Sequence, residues 1–443
     1  MVPQPLGILV VAFHFPPLSA AGTHRTSNFV RELARRGHRV GVVTTSGGDF
    51  KVDASLTAKI PAGVDVVRAP HVDPFALLAR WRGNGAATAT GANGPGSAAS
   101  APKRTVDRAL DYVSRLFDVP DRYASWIVPA LLRGIAVARR VRADVLYTTA
   151  PPFSAHVVGL ALHRVLDLPW IVDLRDPWAT NPFNVRPFAS LRAIDEALEA
   201  AVVKRAHTVV LNTELAEAGY RARYPDQSNF TTITNGIDPD LLERAAPTVV
   251  RNGKRSLLHA GTIYGRRSPH ALLEALRRFR VESPQLAREL RIVQLGGVEN
   301  APALLERARS LGVADAFEIR PAVGHAEAFE CLQRADGLLL LGVSGERPEV
   351  QVPAKLFEYL AARRPMVVLA KSGGAIARTL AQADVHCLLA DPDDPNSVLA
   401  ALRSFAAPDA TADVETSGIG AFRYENLATR LEATMLSACG ADE

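Results

Sequence analysis

The sequence predicts an α/β protein in which two Rossmann-like, doubly wound domains follow one another along the chain, with a cleft between them. The 443 residues are too many for one hydrophobic core, since single cores stop growing near ~250–300 residues. Short runs of Val, Ile and Leu alternate from end to end with segments of helical period, which is the pattern of a parallel sheet wrapped by helices. The 48% of apolar and 22% of charged residues exclude a wholly disordered chain.

The first domain begins with a fully apolar strand at residues 6–13, followed by a helix at 24–36 that ends at Gly37. Further strands are predicted at residues 39–45, 64–68, 144–149, 170–173 and 208–211. The helices between them are predicted at residues 126–141, 153–165, 191–205 and 214–223. This order of elements is one doubly wound unit.

A second unit follows residues 236–254, which contain Pro, Gly and charges but no long periodic run. Its strands are predicted at residues 256–260, 290–295, 317–320, 337–341, 366–370 and 386–389. Pro269 and Pro353 mark helix starts, and Gly312 marks a helix end. We therefore expect an N-terminal domain at 1–238, a C-terminal domain at 239–420, and a C-terminal helix at 421–443 that packs back on the first domain.

The composition excludes several classes of protein. Cys331, Cys387 and Cys439 are widely separated, so neither a disulfide framework nor a thiolate metal site is expected. The N-terminus has no basic segment before its apolar run, which predicts no signal peptide, and no apolar run approaches the ~20 residues of a membrane-spanning helix. Basic residues are not interleaved with aromatic ones as in an RNA-binding module, so no nucleic-acid partner is expected. These features predict a cytoplasmic protein.

The positive charge lies in the first half of the chain. Residues 1–240 contain 27 Lys/Arg against 21 Asp/Glu, a balance of +6, whereas residues 241–443 contain 24 against 25. This asymmetry is consistent with an acidic acceptor, with peripheral binding to the anionic inner face of the cell membrane, or with a plain Arg-rich surface. Failure to co-sediment with anionic vesicles at low salt would exclude the membrane interpretation.

Residues 83–102 have almost no bulky apolar side chain and predict a flexible insertion. The insertion is flanked by residues 75–81 and by a basic amphipathic segment at 103–117. This segment is predicted to lie on a membrane, to close over an acceptor, or to pack its apolar face on its own domain.

Chemically useful side chains are expected where strands end and helices begin, since ligands of open α/β sheets bind at that edge. In the first domain, residues 14–25 contain Gly22, which allows close approach of a ligand to the backbone. Asp173, Arg175 and Asp176 follow another apolar strand, near the turn at residues 148–154. They predict either a site that contacts the acceptor or sugar, or a structural salt bridge.

In the second domain, the segment at residues 259–269 leads from the first strand into a helix and contains glycines, Arg266 and Arg267 ahead of the helix start, which suits a diphosphate. Lys355 lies in the first turn of a helix, where a cation is slightly unfavourable unless an anion is bound. Glu358 lies nearly on the same face, so a plain i,i+3 ion pair is the alternative interpretation.

Six motifs carry a resemblance to a known family. They are FPP…GxxR at 15–25, RRGHRVGVVT at 35–44, DLRDPW at 173–178, TNGID at 234–238, GTIYGRR at 261–267 and VPAKLFEYLA at 352–361. In this order the chain resembles, over nearly its whole length, a retaining glycosyltransferase of the GT-B fold similar to family 4. The resemblance implies transfer of a sugar from a nucleotide diphosphate donor, with retention of configuration. The basic first half and the amphipathic segment favour a lipid-linked acceptor or a polysaccharide or glycolipid precursor.

The resemblance also implies roles for individual residues. Gly22 would approach the donor phosphate, Arg267 and Lys355 the diphosphate, Glu358 the ribose, and Gly296 and Gly297 the base. The candidate catalytic residues are therefore Asp173, Arg175, Asp176, Arg267 and Lys355. The candidate donor-binding residues are Gly22, Gly261, Thr262, Arg266, Arg267, Gly296, Gly297, Lys355 and Glu358.

The sequence departs from the family at two places. Many relatives have a glutamate eight positions before Glu358, where this chain has Val350, with Glu349 next to it. Thr262 stands where many relatives have an arginine. A nucleotide-sugar epimerase of similar shape and a non-catalytic sugar-nucleotide-binding subunit are therefore alternatives.

No metal or other cofactor is expected. The two DxD patterns, at Asp238–Asp240 and Asp391–Asp393, each contain Pro before a helical run. This context is typical of turn and cap residues.

Overall fold

The computed structural model describes residues 4–20, 22–48, 50–72, 119–181, 186, 188–243, 254–345, 349–407 and 417–440. The predicted insertion at 83–102 and its flanking segments at 75–81 and 103–117 lie outside these residues. The chain forms two compact units. One contains the residues up to Thr234 and the C-terminal segment from Tyr424, and the other contains Asn235–Arg423.

The first domain is built on a seven-stranded sheet, and all of its paired strands are parallel. The strands are β1 (Gly7–Ala12), β2 (Arg39–Thr45), β3 (Asp65–Ala69), β4 (Val145–Ala150), β5 (Trp170–Leu174), β6 (Thr208–Leu211) and β7 (Phe230–Thr232). Their order is β3-β2-β1-β4-β5-β6-β7, so the direction of winding reverses between β1 and β4. Every residue of β1 is buried, as expected for a strand covered by helices on both faces.

Helices of the first domain cover both faces of this sheet. They are α1 (Thr23–Arg35), α2 (Ile127–Val141), α3 (Ser154–Leu166), α4 (Ala189–Arg205) and α5 (Glu214–Arg223). Helix α1 ends just before Gly37, whose φ of +91° is in the left-handed region that glycine adopts without strain. Trp126, Trp170 and Trp178 are fully buried in the core on one face of the sheet.

The second domain has a six-stranded sheet in which all paired strands are likewise parallel. Its strands are β8 (Arg255–Ala260), β9 (Leu290–Leu295), β10 (Phe317–Arg320), β11 (Gly337–Leu341), β12 (Met366–Leu369) and β13 (Leu388–Ala390). The order β10-β9-β8-β11-β12-β13 reverses its winding between β8 and β11. Its helices are α6 (Pro239–Leu242), α7 (His270–Glu282), α8 (Pro284–Glu289), α9 (Ala301–Ser310), α10 (His325–Arg334), α11 (Lys355–Ala362), α12 (Ala375–Gln382) and α13 (Pro395–Ala406).

The last helix of the chain, α14 (Tyr424–Ala438), packs on the first domain. Its buried face, which includes Leu427 and Leu431, shares a core with Phe29 of α1. Glu432 accepts hydrogen bonds from the Arg36 guanidinium and from Nε2 of His38, the latter at 2.8 Å. The first domain is therefore completed by residues from the far end of the sequence.

The structure confirms the predicted fold of two parallel α/β domains, and each predicted strand lies within two residues of the observed one. The sequence analysis missed β7, which is only three residues long and pairs at the sheet edge. So short a run has no periodicity that distinguishes it from a loop. No helix among the described residues is long and apolar enough to cross a membrane.

Candidate functional site

A buried ion pair lies at the edge of the first sheet where β1, β4 and β5 end. Nε and Nη2 of Arg25 donate to the two carboxylate oxygens of Asp173, at 3.0 and 2.8 Å. The same guanidinium donates to the carbonyl oxygens of Thr234 and Ile233. The side chains of Arg25 and Asp173 are 2% and 0% exposed, so neither is open to solvent.

Asp173 is saturated with hydrogen bonds, because the hydroxyl groups of Tyr147 and Thr149 also donate to it, at 2.7 and 2.8 Å. Burial alone would raise the pKa of Asp173, but Arg25 outweighs burial and holds that pKa below its ordinary value. This geometry favours the salt-bridge interpretation of Asp173. Arg25, three residues after Gly22 in the FPP…GxxR motif, was not among the predicted site residues.

Arg175 follows β5, and its guanidinium lies against Gly22 at the N-terminus of α1. Its Nε donates to the carbonyl oxygen of Ala150 at 3.1 Å and its Nη2 donates to that of Pro151. A Cβ at Gly22 would lie 1.8 Å from Nη1 of Arg175, so only glycine leaves room for the guanidinium there. Asp176 is partly exposed, and its charge favours the protonated form of Arg175, although burial lowers the pKa of Arg175 overall.

In the second domain, the carboxyl ends of β8 and β11 meet where the strand order reverses, which is the usual ligand position in such sheets. Nζ of Lys355, the first residue of α11, lies 3.2 Å from Nε2 of His259 on β8. A Cβ at Gly261 would lie 2.8 Å from this Nζ, and Gly261 has a φ of +106°. The predicted residues Gly261 and Lys355 are therefore in contact, and glycine at 261 makes room for the ammonium.

Arg267 and Glu349 add two more buried charges. Arg267 is 9% exposed, and its Nε has no hydrogen-bond partner among the described residues. Glu349 is 6% exposed, and its carboxylate lies against Gly374 at the start of α12. Backbone N–H groups of Ile376 and Lys371 act on this carboxylate, yet neither oxygen forms a hydrogen bond of good geometry with a described residue.

Lys355, His259, Arg267 and Glu349 form one cluster of buried titratable groups, and their charges act on one another. Burial, and then the charge of Arg267, lower the pKa of Lys355 to about 7. Burial and the charge of Lys355 hold the pKa of His259 well below 6.5, so this imidazole is neutral. Burial raises the pKa of Glu349, although Arg267 acts in the opposite direction. Such perturbation by burial and by specific neighbours is typical of functional sites.

The remaining predicted residues lie around this cluster. Gly296 packs against the carbonyl group of Gly261, and Thr262 lies beside Gly297. Glu358, one turn after Lys355, is 3.2 Å from Nε2 of His325. Glu358 therefore contacts His325, and no i,i+3 salt bridge joins it to Lys355.

The side chain of Arg266 does not belong to the cluster around Lys355. A Cβ at Gly345 would lie 1.6 Å from its Nη2, so its guanidinium packs against the loop that follows β11. The side chains of the adjacent arginines Arg266 and Arg267 therefore lie in different surroundings. His259 lay within the predicted segment 259–269 but was given no role, and Gln294 was not predicted, since nothing in its local sequence distinguishes it from other buried strand residues.

The first DxD pattern has the predicted cap role, and in the second Asp391 accepts a hydrogen bond from the backbone N–H of Asp393 at 2.9 Å, as in a turn. Asp238 caps α6 by accepting a hydrogen bond from the backbone N–H of Asp240 at 3.1 Å. Asp391 and Asp393 both pair with Lys371, at 2.7 and 2.9 Å. Within the described parts of the chain, no group of three His, Cys, Asp or Glu residues could hold a metal ion.

Comparison with known proteins assigns both domains. Residues 21–236 match the glycosyl transferase 4-like domain, and residues 254–407 match the glycosyl transferases group 1 model. A curated relative, the D-inositol 3-phosphate glycosyltransferase of Stackebrandtia nassauensis, is 32% identical over 149 residues. That match covers 30% of this chain and 33% of the relative, so it spans about a third of that protein's length.

Solved structures share the fold over nearly the whole chain. Anabaena HepE in complex with UDP-glucose has a TM-score of 0.63 at 13% identity, covering 97% of this chain and 99% of its own. Sucrose-phosphate synthase from Thermosynechococcus elongatus has a TM-score of 0.62 at 14% identity, covering 98% and 99%. The two domain matches, the fold and the ordered motifs lead to one conclusion: the chain belongs to the family 4-like glycosyltransferases of the GT-B fold.

Proposed function

We propose that this protein transfers a glycosyl group from a nucleotide diphosphate sugar, held by the second domain, to an acceptor held by the first. One observation carries the proposal: Arg267 and Lys355 are brought together at the switch point of the second sheet, and neither forms an ion pair with a described residue. Glu349 and Glu358 act on these cations only from beyond salt-bridge distance. The two cations therefore still repel each other, and a multivalent anion that binds both relieves that repulsion. A diphosphate has the charge and the oxygen spacing to bind both.

The proposed chemistry follows from this charge. As the bond between the sugar's anomeric carbon and the phosphate oxygen breaks, negative charge grows on the diphosphate. Arg267 and Lys355 stabilise that charge more in the transition state than in the bound donor, which is the condition for a faster reaction. The acceptor hydroxyl forms the new bond and its proton passes to the departing phosphate oxygen. Retention of configuration is proposed on the resemblance to family 4.

Other residues of the second domain complete the proposed donor site. Glu358 accepts from the ribose hydroxyls, and the turn at Gly296 and Gly297 lies along the base. Glu349 takes the place of the glutamate missing at 350 and accepts from hydroxyls of the transferred sugar. Its support is physical: a buried carboxylate whose oxygens lack good hydrogen bonds costs free energy until a donor group arrives.

For the acceptor, we propose a hydroxyl compound with a nearby anionic group, such as a lipid-linked precursor. Support comes from Arg175, held at the N-terminus of α1 by two backbone carbonyls. His14 is 4% exposed, and neither of its ring nitrogens has a hydrogen-bond partner in the described part of the chain. Burial, and then the charge of Arg175, lower the pKa of His14 to about 3. Contact with an anionic membrane stays a prediction that rests on the charge of the first half.

A panel of nucleotide sugars tests the donor proposal. The true donor is expected to raise the unfolding temperature. At a donor concentration 100 times its dissociation constant, the free energy of unfolding should increase by about 2.7 kcal/mol. A donor lacking the sugar hydroxyl that Glu349 contacts is expected to bind less tightly. Transfer should persist in EDTA. A chain that no nucleotide sugar stabilises, or that consumes donor as fast without acceptor, would contradict the proposal.

Replacing Gly22 by alanine tests the acceptor site. Because the new Cβ would overlap Nη1 of Arg175, the guanidinium must move, and we expect kcat/KM for the acceptor to fall by up to about 10²-fold. Gly219→Ala is the matched control, since a Cβ there meets nothing within 4 Å. Tryptophan fluorescence should stay unchanged in both variants, and donor affinity measured alone tests the separate prediction that Gly22 approaches the donor phosphate. Equal acceptor kinetics in the two variants would exclude Arg175 from the acceptor site.

A further inference from the structure

The side chain of His259 has a fixed tautomer, which follows from a chain of hydrogen bonds. The carbonyl oxygen of Gly261 can only accept, so the group that contacts it at 2.6 Å must be the NH₂ of Gln294. The amide oxygen of Gln294 therefore faces Nδ1 of His259, at 2.6 Å, and Nδ1 must carry the proton. Nε2 of His259 is then a lone pair, and the ammonium of Lys355 donates to it at 3.2 Å.

We propose that His259 is a positioning residue of the donor site: its neutral imidazole, oriented by Gln294, holds the Lys355 ammonium beside Gly261, ready for the donor diphosphate. The inference rests on the proposed role of Lys355 in binding that diphosphate. It adds two residues, His259 and Gln294, to a site that the sequence motifs define without them.

The physical advantage of a neutral partner concerns both geometry and charge. A lysine side chain has four flexible bonds, and fixing it before the ligand arrives reduces the ordering cost of binding. A carboxylate at position 259 would hold Lys355 more strongly but would also neutralise it and compete with the diphosphate. Imidazole uses one of the three N–H donors of Lys355 and leaves the positive charge and two donors available.

The surroundings keep His259 in the required form. His259 is 2% exposed, and the charges of Lys355 and Arg267 oppose a second proton on its ring. The groups that act on Lys355 itself are Arg267, which disfavours its charge, and Glu358, which favours it. With the pKa of Lys355 near 7 in the unliganded protein, diphosphate affinity is expected to fall as the pH rises above about 7.

The experiment uses the full chain with UDP, GDP, ADP and dTDP, and compares the tightest of them with its monophosphate. In His259→Leu, which removes the lone pair, we expect the diphosphate to bind about tenfold more weakly and the monophosphate nearly as before. The pH at which diphosphate affinity begins to fall should also move down, because the ammonium has lost an acceptor. In His259→Gln, whose amide oxygen can accept from Lys355, at least part of the affinity should return.

The outcomes separate this inference from the proposed function. Weak binding in Lys355→Met with unchanged binding in His259→Leu would overturn the positioning role alone. Unchanged binding in Lys355→Met would overturn the donor site itself. Equal losses for diphosphate and monophosphate, or for the leucine and glutamine variants, would show a general collapse of the site and contradict the inference. Since loss of folding would mimic such a collapse, calorimetric unfolding is measured for each variant, and Gln294→Leu replaces any that fails to fold.

Discussion

Replacing Lys355 by methionine is expected to lower kcat/KM for sugar transfer by roughly 10²- to 10³-fold while making the unliganded second domain more stable. The Lys355 ammonium is proposed to stabilise the negative charge that develops on the departing diphosphate. Methionine at this position cannot provide that stabilisation. Methionine keeps the length and most of the apolar contacts of the lysine stem. Initial rates over a range of donor concentrations measure the first effect, and calorimetry measures the second.

The gain in stability follows from the direction of the pKa shift. Since the folded pKa of Lys355 is about 7 against an ordinary 10.5, the unfolded chain holds more protons between these values. Stability therefore rises with pH across that window, and the buried charge costs most at and below pH 7. Each kcal/mol recovered by Lys355→Met corresponds to about 2–4 °C in the unfolding temperature.

Lys254→Met is the matched control, because Lys254 is an exposed lysine of the same domain. It should change neither transfer nor unfolding. If Lys355→Met kept full transfer activity, or lost activity only by unfolding, the proposed role of Lys355 would be wrong.

Replacing Asp173 by alanine is expected to destabilise the first domain by about 3–5 kcal/mol, because it leaves the Arg25 guanidinium buried without its counter-charge. The hydroxyls of Tyr147 and Thr149 would lose their acceptor as well. All four tryptophans of the chain lie between residues 81 and 178, so tryptophan fluorescence during urea unfolding reports on this domain.

Asp65→Ala is the control, since Asp65 and Arg140 form an ion pair with side chains 34% and 50% exposed. Such surface pairs contribute at most about 1 kcal/mol. The folded pKa of Asp173 lies below its ordinary value, so its contribution is fully present at pH 7 and is lost as the pH falls through that folded value. Equal unfolding midpoints for the two variants would refute the structural role of this pair.

The secondary structure could be predicted from the sequence because parallel strands covered on both faces are continuous apolar runs. Strand β1, for example, is six buried residues, GILVVA, and no alternating pattern was needed to find it. The positions of Gly261 and Lys355 could also be predicted, since both lie at strand-to-helix turns where ligands of such sheets bind.

Several features depended on tertiary structure. Asp173 was predicted to be either catalytic or structural, and its partner Arg25 lies 148 residues away. Local sequence cannot show that the two charges pair, because pairing depends on which strand of the sheet lies next to which helix. The same reason explains why the sequence could not place the carboxylate of Glu349, one position off the family pattern, against Gly374.

The sequence by itself determined that this protein has two parallel α/β domains and predicted where each would bind a ligand, because hydrophobic runs and strand-to-helix turns are local properties of the chain. Only the tertiary structure decided which charges are paired and which have no ion-pair partner among the described residues. Gln294, His259 and Lys355 lie on β9, β8 and α11, and their hydrogen bonds exist only because the sheet brings these elements together. A side chain's charge and tautomer depend on its neighbours in space, and those neighbours are set by the packing of the whole domain.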